Sequence, residues 1–237
     1  LIKEIKLREP VKATLTLPGS KSYTHRALIA AALARGESVL ANALQAEDTE
    51  LTAQALTRLG AGIHWGPAAV RVQGVGGHWR PVSEPIYLGN SGTSMRLLTA
   101  LTTLGEGEYR LTGSPRLCER PMGELLAALR QLGVNAVSKL GDGCPPVIVQ
   151  GGLTGGRAQL SGAVSSQYLS ALLFIAPLAS QGAEIEVTGE LVSRPYVDLT
   201  LDVLGAFGIS YYREGYSFFQ APGGQEYLAR DYEIEAD

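Results

Sequence analysis

The sequence predicts a mixed α/β (α+β) fold made of three similar units, and repeated patterns support this prediction. Apolar helical segments that end in a glycine recur at Gly60, Gly133 and Gly208, at intervals of about 70 residues. Each of these glycines precedes a β-rich run, which is typical of a helix C-cap that leads into a strand. A second set of glycines recurs in the same order, where a helix is followed by a strand: Gly36, Gly107 and Gly182.

A third pattern links the last two units. Arg120–Pro121 and Arg194–Pro195 each follow a Thr-Gly pair and precede an apolar stripe, so we expect them to start the second helix of their units. Each unit is then predicted to contain helix, strand, helix, and strand or hairpin. Because a unit of this size cannot bury its apolar faces alone, the units must share a core. Either the helices lie inside with the sheets outside, or the helices cover one sheet.

The composition is that of a globular protein. Of the 237 residues, 45% are hydrophobic and 18% are charged, which excludes a disordered tail and a collagen. No apolar run reaches the ~18–20 residues that cross a bilayer, and no signal core marks export. The 20 basic and 23 acidic residues give a net charge of −3, which disfavours nucleic-acid binding. Two cysteines, Cys118 and Cys144, make neither a disulfide framework nor a metal cluster, so we expect a cytoplasmic protein.

The predicted first helix of each unit opens with small hydroxyl residues. The three openings are residues 18–22 (PGSKS), 89–93 (GNSGT) and 164–167 (VSSQ). Serine and threonine are ordinary N-caps, but here the openings recur together with cations, which are Lys21, Arg26, Arg96, Arg120 and Arg194. Helix N-termini attract anions through their free N–H groups and the helix dipole. We therefore interpret these openings as parts of one anion site.

Other motifs are weak. Residues 19–22 lack the glycine pattern of a Walker loop. The three histidines lack metal-ligand spacing, and we expect neither a metal nor a cofactor. The acidic residues Glu47, Asp48 and Glu50 are interpreted as a solvated helix start.

Five motifs together resemble the 5-enolpyruvylshikimate-3-phosphate synthase family, over nearly the whole chain. These motifs are residues 17–22 (LPGSKS) with Arg26, 88–93 (LGNSGT) with Arg96, 119–121 (ERP), 165–167 (SSQ) and 193–196 (SRPY). The resemblance implies a fold of two lobes, each built from three βαβαββ repeats with helices packed inside and sheets outside. It also implies transfer of the enolpyruvyl group from phosphoenolpyruvate to the 5-hydroxyl of shikimate 3-phosphate, in the shikimate pathway of aromatic amino-acid biosynthesis.

Because proteins of this family are about twice as long, the resemblance implies that the chain is the N-terminal lobe and lacks the C-terminal lobe. The implied organisation is an N-terminal strand of the other lobe over 1–13, a lobe over 14–230 with repeats at about 14–80, 81–155 and 156–230, and the start of the interlobe crossover over 231–237. The isolated lobe is expected to be inactive, since the proton-handling carboxylates belong to the other lobe. The parent enzyme is expected to be monomeric and to bind neither nucleic acid nor membrane.

The resemblance also implies residue roles. The residues implied for shikimate 3-phosphate are Lys21, Ser22, Arg26, Ser165, Ser166, Gln167, Ser193 and Tyr196. Those implied for phosphoenolpyruvate are Lys21, Asn90, Gly92, Thr93, Arg120 and Gln167. Lys21, Arg120 and Gln167 are the implied catalytic residues, and Arg96 is given a supporting role. Gly92 also stands where the family limits binding of the herbicide glyphosate.

The sequence departs from the family pattern at several positions. His25 stands where asparagine is usual, Ser91 and Ser94 where alanine is common, and Leu97 where proline often occurs. These departures leave the implied contact residues intact. Two alternatives stay open. One is the sister UDP-N-acetylglucosamine enolpyruvyl transferase, which the position of Cys118 disfavours, and the other is a non-catalytic anion-binding or RNA-end module on the same repeat fold.

Overall fold

Helices and strands alternate along the part of the chain that the computed structural model describes, which is residues 12–15 and 17–236. The helices in this part are α1 (Lys21–Leu33), α2 (Glu47–Leu59), α3 (Gly92–Leu101), α4 (Pro115–Cys118), α5 (Gly123–Gln131), α6 (Ser166–Ile175) and α7 (Arg194–Ala206). Short 3-10 turns, Thr102–Leu104 and Ala176–Leu178, extend α3 and α6. The strands are β1 (Arg35–Ala41), β2 (Gly62–Trp65), β3 (Ala69–Val75), β4 (Ile86–Tyr87), β5 (Glu108–Thr112), β6 (Ala136–Ser138), β7 (Val147–Gln150), β8 (Gly156–Ser161), β9 (Ala183–Thr188), β10 (Tyr212–Glu214), β11 (Phe218–Ala221) and β12 (Asp231–Glu233).

The strands form three four-stranded sheets with one common topology. The strand orders are β12-β1-β3-β2, β4-β5-β7-β6 and β8-β9-β11-β10. In each sheet the outermost strand pairs in parallel with the second strand, and the remaining pairs are antiparallel. The second and third units therefore each follow the order strand, helix, strand, helix, hairpin. The predicted fold class of three βαβαββ repeats is confirmed.

The first unit takes its outer strand from the far end of the chain. β12 pairs in parallel with β1, with Val39 opposite Asp231 and Ala41 opposite Glu233. The segment that was expected to begin a crossover is therefore part of the first sheet up to residue 233, and the crossover itself stays a prediction. The predicted N-terminal strand lies outside the described residues except for Lys12 and Ala13.

The central helices lie inside and the sheets lie outside, as the resemblance implied. Every residue from Ala27 to Ala34 in and after α1 is at most 1% exposed, and α3 and α6 are buried along most of their length. The strands alternate, so that β9 buries Ala183, Ile185 and Val187 on one face. A helix that is apolar all round packs in a core, whereas an alternating strand presents its other face to water. No helix in the described part of the chain is long and apolar enough to span a bilayer.

The glycines that were predicted to end helices adopt the expected backbone geometry. Gly60, Gly133 and Gly208 follow α2, α5 and α7, with φ values of +121°, +88° and +83°. These values fall in the left-handed region, which glycine enters without the steric penalty of a Cβ atom. The repeated glycines therefore mark repeated helix ends.

The Arg-Pro pattern predicts one helix start correctly and misplaces the other. α7 begins at Arg194–Pro195, as expected. α5, however, begins at Gly123, because the short helix α4 precedes it and the chain leaves the helical path at Arg120–Pro121. A residue before proline is disfavoured in the α conformation, so this pair forms the bend between two helices rather than the first turn of one.

Candidate functional site

The N-terminal ends of five helices lie together at one end of the molecule, and we call this end the tip surface. Hydrogen bonds join the first two turns of neighbouring helices: Lys21 Nζ to Asp48 Oδ2 (3.0 Å), Arg26 Nη2 to Tyr196 O (2.9 Å), Gln167 Nε2 to Thr93 Oγ1 (3.0 Å) and Ser94 Oγ to Asp48 O (3.3 Å). The helices concerned are α1, α2, α3, α6 and α7. Because helix N-termini carry free N–H donors and partial positive charge, the tip surface favours anions.

The loop before α1 is held by a close backbone crossing at Gly19. A Cβ atom at this position would lie 1.8 Å from the carbonyl oxygen of Asn42. Gly19 also forms a bridge with Ala236, and the N–H of Ser20 donates to Glu235 O at 2.7 Å. The glycine of the 18–22 motif is therefore required for packing against the chain's own backbone.

Lys21 begins α1 and forms an ion pair with Asp48 in the first turn of α2. The two side chains are 51% and 31% exposed, so solvent screens the pair and an anionic ligand can compete with Asp48 for the ammonium group. The acidic residues Glu47, Asp48 and Glu50 lie in the first turn of α2, as expected. Asp48 in addition meets Lys21 across 27 residues of chain, which the sequence did not predict.

Arg26 is buried beneath the tip surface, at 2% exposure. In the described part of the chain, its guanidinium donates only to neutral acceptors, which are Thr200 Oγ1 (2.8 Å), Ser22 O (3.0 Å), Tyr196 O (2.9 Å) and Ser170 Oγ (3.4 Å). Burial lowers the pKa of Arg26 from 12.5 to about 10. It is therefore a buried cation without a carboxylate partner among the described residues, which is an uncommon arrangement because a buried charge is usually paired.

The hydroxyl groups around Arg26 are available. Within the described residues, the side chains of Ser22, Ser193 and Tyr196 form no hydrogen bond. Ser193 precedes α7 with φ +55° and ψ +42°, a left-handed conformation that is costly for a residue with a Cβ atom. Tyr196 is 46% exposed. These groups can all donate to a ligand at the tips of α1 and α7.

A second cluster joins α3 to α6. Arg96 Nη1 donates to Gln167 Oε1 at 2.6 Å, and Gln167 Nε2 donates to Thr93 Oγ1 at 3.0 Å. The guanidinium carbon of Arg96 lies 5.5 Å from the centre of the Tyr168 ring. Arg96 therefore holds the Gln167 side chain at the start of α6, and its supporting role stays a prediction.

Gly92 and Arg120 are adjacent, although 28 positions separate them in the chain. A Cβ atom on Gly92 would lie 2.6 Å from Arg120 Nη1 and 3.5 Å from Arg96 Nη1. The Arg120 side chain has no hydrogen bond or ion pair among the described residues. Asn90, two residues before Gly92, is exposed. A guanidinium with unused donors thus lies against the first turn of α3.

The start of α6 contributes two serines. Ser165 is the N-cap, and its Oγ accepts from the N–H of Gln167 at 3.3 Å. Ser166 is 4% exposed, and its hydroxyl has no partner among the described residues. One turn further along, Ser170 meets Arg26 and so connects the two clusters.

The predicted site residues therefore lie at one end of the fold, whereas two of their partners were not predicted. Thr200 and Ser170 hold Arg26 in place and also bond to each other at 2.7 Å. Thr200 lies one turn after Tyr196, and Ser170 lies one turn after Ser166. A polar residue at such a position inside an apolar helix was the sequence signal that could have identified each of them. In residues 12–15 and 17–236, no group of three or more His, Cys, Asp or Glu side chains is placed to hold a metal ion.

Comparison with known proteins gives one consistent family. The sequence profile described as EPSP synthase (3-phosphoshikimate 1-carboxyvinyltransferase) matches residues 5–237. The 3-phosphoshikimate 1-carboxyvinyltransferase of Methanoculleus marisnigri is 45% identical over 229 residues, covering 96% of this chain and 54% of that protein. The protein of the same description from Shewanella baltica is 42% identical over 235 residues, covering 96% and 55%.

A solved structure agrees with these sequence matches. EPSP synthase from Acinetobacter baumannii superposes with a TM-score of 0.85 at 30% identity, covering 94% of this chain and 50% of that chain. The chain therefore spans about half the length of the relatives it matches.

Proposed function

Since the chain belongs to the EPSP synthase family, we propose that it is the N-terminal half of such an enzyme and that its tip surface binds shikimate 3-phosphate. Residues 14–230 together with β12 are then the lobe with three repeats, and the segments 1–13 and 234–237 connect it to the missing half. The complete enzyme would transfer the enolpyruvyl group of phosphoenolpyruvate to the 5-hydroxyl of shikimate 3-phosphate.

The observation that carries this proposal is the uncompensated positive charge of the tip surface. Arg26 is a buried cation that contacts only neutral acceptors among the described residues, and Arg120 has no partner there. Keeping a buried cation without an anionic partner is costly. A multiply anionic ligand would offset this cost, and guanidinium groups bind carboxylate and phosphate as two-pronged donors.

The proposed contacts form two sets that meet at Gln167. For shikimate 3-phosphate they are Lys21, Ser22, Arg26, Ser165, Ser166, Gln167, Ser193 and Tyr196. For phosphoenolpyruvate they are Lys21, Asn90, Gly92, Thr93, Arg120 and Gln167. Support for the first set comes from the unused hydroxyls beside Arg26, and support for the second comes from the placement of Arg120 against Gly92.

The reaction explains why half of the enzyme is not sufficient. The 5-hydroxyl gives up its proton and attacks the central carbon of phosphoenolpyruvate as its methylene group is protonated. The tetrahedral intermediate then loses phosphate together with one proton of the new methyl group, which forms the enolpyruvyl double bond. Lys21 and Arg120 supply charge to the transferring group, which is effective in a closed and water-poor site. Proton transfer at the reacting carbons needs poised carboxylates, which we assign to the missing half. The chain alone is therefore expected to be catalytically inactive.

Calorimetric titration tests the binding proposal. Shikimate 3-phosphate at millimolar concentration should bind and raise the unfolding midpoint, whereas UDP-N-acetylglucosamine and RNA 3′-phosphate ends should do neither. Arg35→Met, at the opposite end of the molecule, is the matched control and should bind like the parent chain. The absence of heat with shikimate 3-phosphate, while circular dichroism shows an intact fold, would refute the proposal.

Complementation tests whether the missing half supplies the groups that this chain lacks for catalysis. The C-terminal half of a related synthase, added in trans, should restore release of phosphate from phosphoenolpyruvate when shikimate 3-phosphate is present. Release of phosphate by this chain alone would contradict the expected inactivity.

A further inference from the structure

A chain of short hydrogen bonds between buried side chains connects α1, α2 and α3 below the tip surface. His25 Nδ1 lies 2.8 Å from Thr52 Oγ1, which lies 2.7 Å from Ser94 Oγ, which lies 2.7 Å from Ser91 Oγ. All four residues are at most 1% exposed. Ser91 is the N-cap of α3, and its Oγ also accepts from the N–H of Ser94 at 3.3 Å. The chain of bonds therefore ends directly before Gly92.

The bond between His25 and Thr52 joins the same two helices as the ion pair between Lys21 and Asp48, one turn further along each helix. Lys21 lies one helical turn before His25 on α1, and its partner Asp48 lies one turn before Thr52 on α2. Ser94 reaches both turns of α2, because its Oγ lies 2.7 Å from Thr52 Oγ1 and 3.3 Å from Asp48 O. The position of α3 relative to Lys21 is thus fixed through α2.

The His25 ring leaves one polar atom unsatisfied. In the described part of the chain, Nε2 of His25 is a buried side-chain atom without a hydrogen-bond partner. Burial lowers the pKa of His25 from 6.5 to about 4, so the ring is neutral near pH 7. A neutral imidazole has one donor and one acceptor, so Nδ1 can serve the hydroxyl chain with either nitrogen protonated. Keeping Nε2 buried without a partner is costly. Because the ring stays buried despite this cost, we take the hydrogen bond through Nδ1 to have a role in the protein.

We propose that His25 is a positioning residue that holds the first turn of α3, including Gly92 and Thr93, at a fixed distance from Lys21. It acts through Thr52 and Ser94 and touches no ligand itself. The inference rests on the proposed function, since the ligand that meets both Lys21 and the α3 turn is phosphoenolpyruvate.

The test compares four variants of the chain. His25→Phe keeps an aromatic ring but removes Nδ1, His25→Asn returns a polar group at the position of Nδ1, and Ser94→Ala interrupts the hydroxyl chain. His64→Phe, on the exposed side of β2, is the matched control. Backbone amide resonances of Gly92 and Thr93 report the position of the α3 turn. Calorimetry reports affinity for shikimate 3-phosphate, and for phosphoenolpyruvate when shikimate 3-phosphate is saturating.

His25→Phe and Ser94→Ala should both shift the Gly92 and Thr93 resonances and weaken phosphoenolpyruvate binding by about tenfold. Affinity for shikimate 3-phosphate should stay within about twofold, because those contacts lie on α1, α6 and α7. His25→Asn should restore both readouts, and His64→Phe should change neither.

Unchanged Gly92 and Thr93 resonances in His25→Phe would overturn the inference, as would equal weakening of both ligands, which indicates a general loss of structure. If His25→Phe does not fold, Ser94→Ala decides by the same criteria. If the parent chain binds neither ligand, the proposed function fails, whereas the resonance comparison still decides the role of His25.

Discussion

The two ends of the central helices differ in chemistry and in enclosure. At the tip surface, Lys21 and Tyr196 are about half exposed, and Arg120 has no partner among the described residues. At the opposite end, the helices α1, α3 and α6 finish against a cavity of about 270 Å³ that is lined by Leu33, Leu104 and Leu178. Arg35 and His78 also line it, and their side chains contact each other at 3.2 Å. This cavity therefore lies at the end of the helices opposite to Lys21 and Arg120.

If the tip surface binds the ligand, as we propose, enclosure alone does not locate the site of this chain. Ligand pockets are usually concave and largely formed in advance, but Lys21 and Tyr196 at the tip surface are about half exposed. If the chain is half of a synthase, as we propose, the second half provides the missing wall. The distribution of unsatisfied cations and hydroxyls is then a better guide to ligand binding than the shape of the isolated chain.

The largest difference is expected between substitutions of two arginines at opposite ends of the molecule. Arg26→Met removes the bonds that tie α1 to α6 and α7, and should lower the free energy of unfolding by about 4 kcal/mol. It should also abolish binding of shikimate 3-phosphate. Arg35→Met, at an exposed position, should change stability by less than about 0.5 kcal/mol. Urea denaturation and calorimetry measure both, and similar losses of stability in the two variants would contradict the comparison.

The loss of folding stability at acidic pH should come in part from His25, near the tip surface. Its pKa is about 4 in the folded chain and 6.5 ordinarily, so the unfolded chain binds more protons between these values. Stability should fall as the pH decreases from 6.5 to 4, by up to about 3 kcal/mol from this residue. His25→Asn should lose this part of the slope in denaturation curves, whereas His78→Asn, at the exposed opposite end, should keep it. An unchanged slope in His25→Asn would exclude His25 as the source.

Arg120 should affect binding and not folding. Arg120→Met removes a guanidinium that has no partner among the described residues, so the free energy of unfolding should change by less than about 0.5 kcal/mol. Binding of phosphoenolpyruvate, with shikimate 3-phosphate saturating, should weaken by about 2 kcal/mol, or roughly 30-fold. Calorimetry gives the affinity. Unchanged affinity would remove Arg120 from the proposed site.

Alanine substitutions at two glycines should distinguish the tip surface from the opposite end of the molecule, with smaller effects. Gly92→Ala places a Cβ atom 2.6 Å from Arg120 Nη1, and the mobile end of that side chain can move away. Stability should change by less than about 1 kcal/mol while phosphoenolpyruvate binding weakens. Gly77→Ala, with φ +76°, should cost about 1–2 kcal/mol of stability and leave binding intact. Weaker phosphoenolpyruvate binding in Gly77→Ala, with unchanged binding in Gly92→Ala, would contradict the placement of the binding site at the tip surface.

The sequence by itself determined the repeated units and the starts of α1, α3, α6 and α7. Gly60, Gly133 and Gly208 signalled helix ends because the left-handed conformation is a local requirement, which a single residue reports. The serines before α3 and α6 signalled helix starts for the same reason, since an N-cap bonds to backbone two or three residues away. The resemblance carried by the five motifs added the residues of the two proposed contact sets.

Only the tertiary structure decided which side chains meet. Arg26 bonds to Thr200 across 174 positions, Lys21 pairs with Asp48, and His25 contacts Thr52. No local sequence pattern predicts such partners. The addition of β12 to the first sheet was likewise decided by packing. The physical reason is range, because periodicity and caps act within a few residues, whereas hydrogen-bond partners in a core are selected by the distances that the whole fold sets.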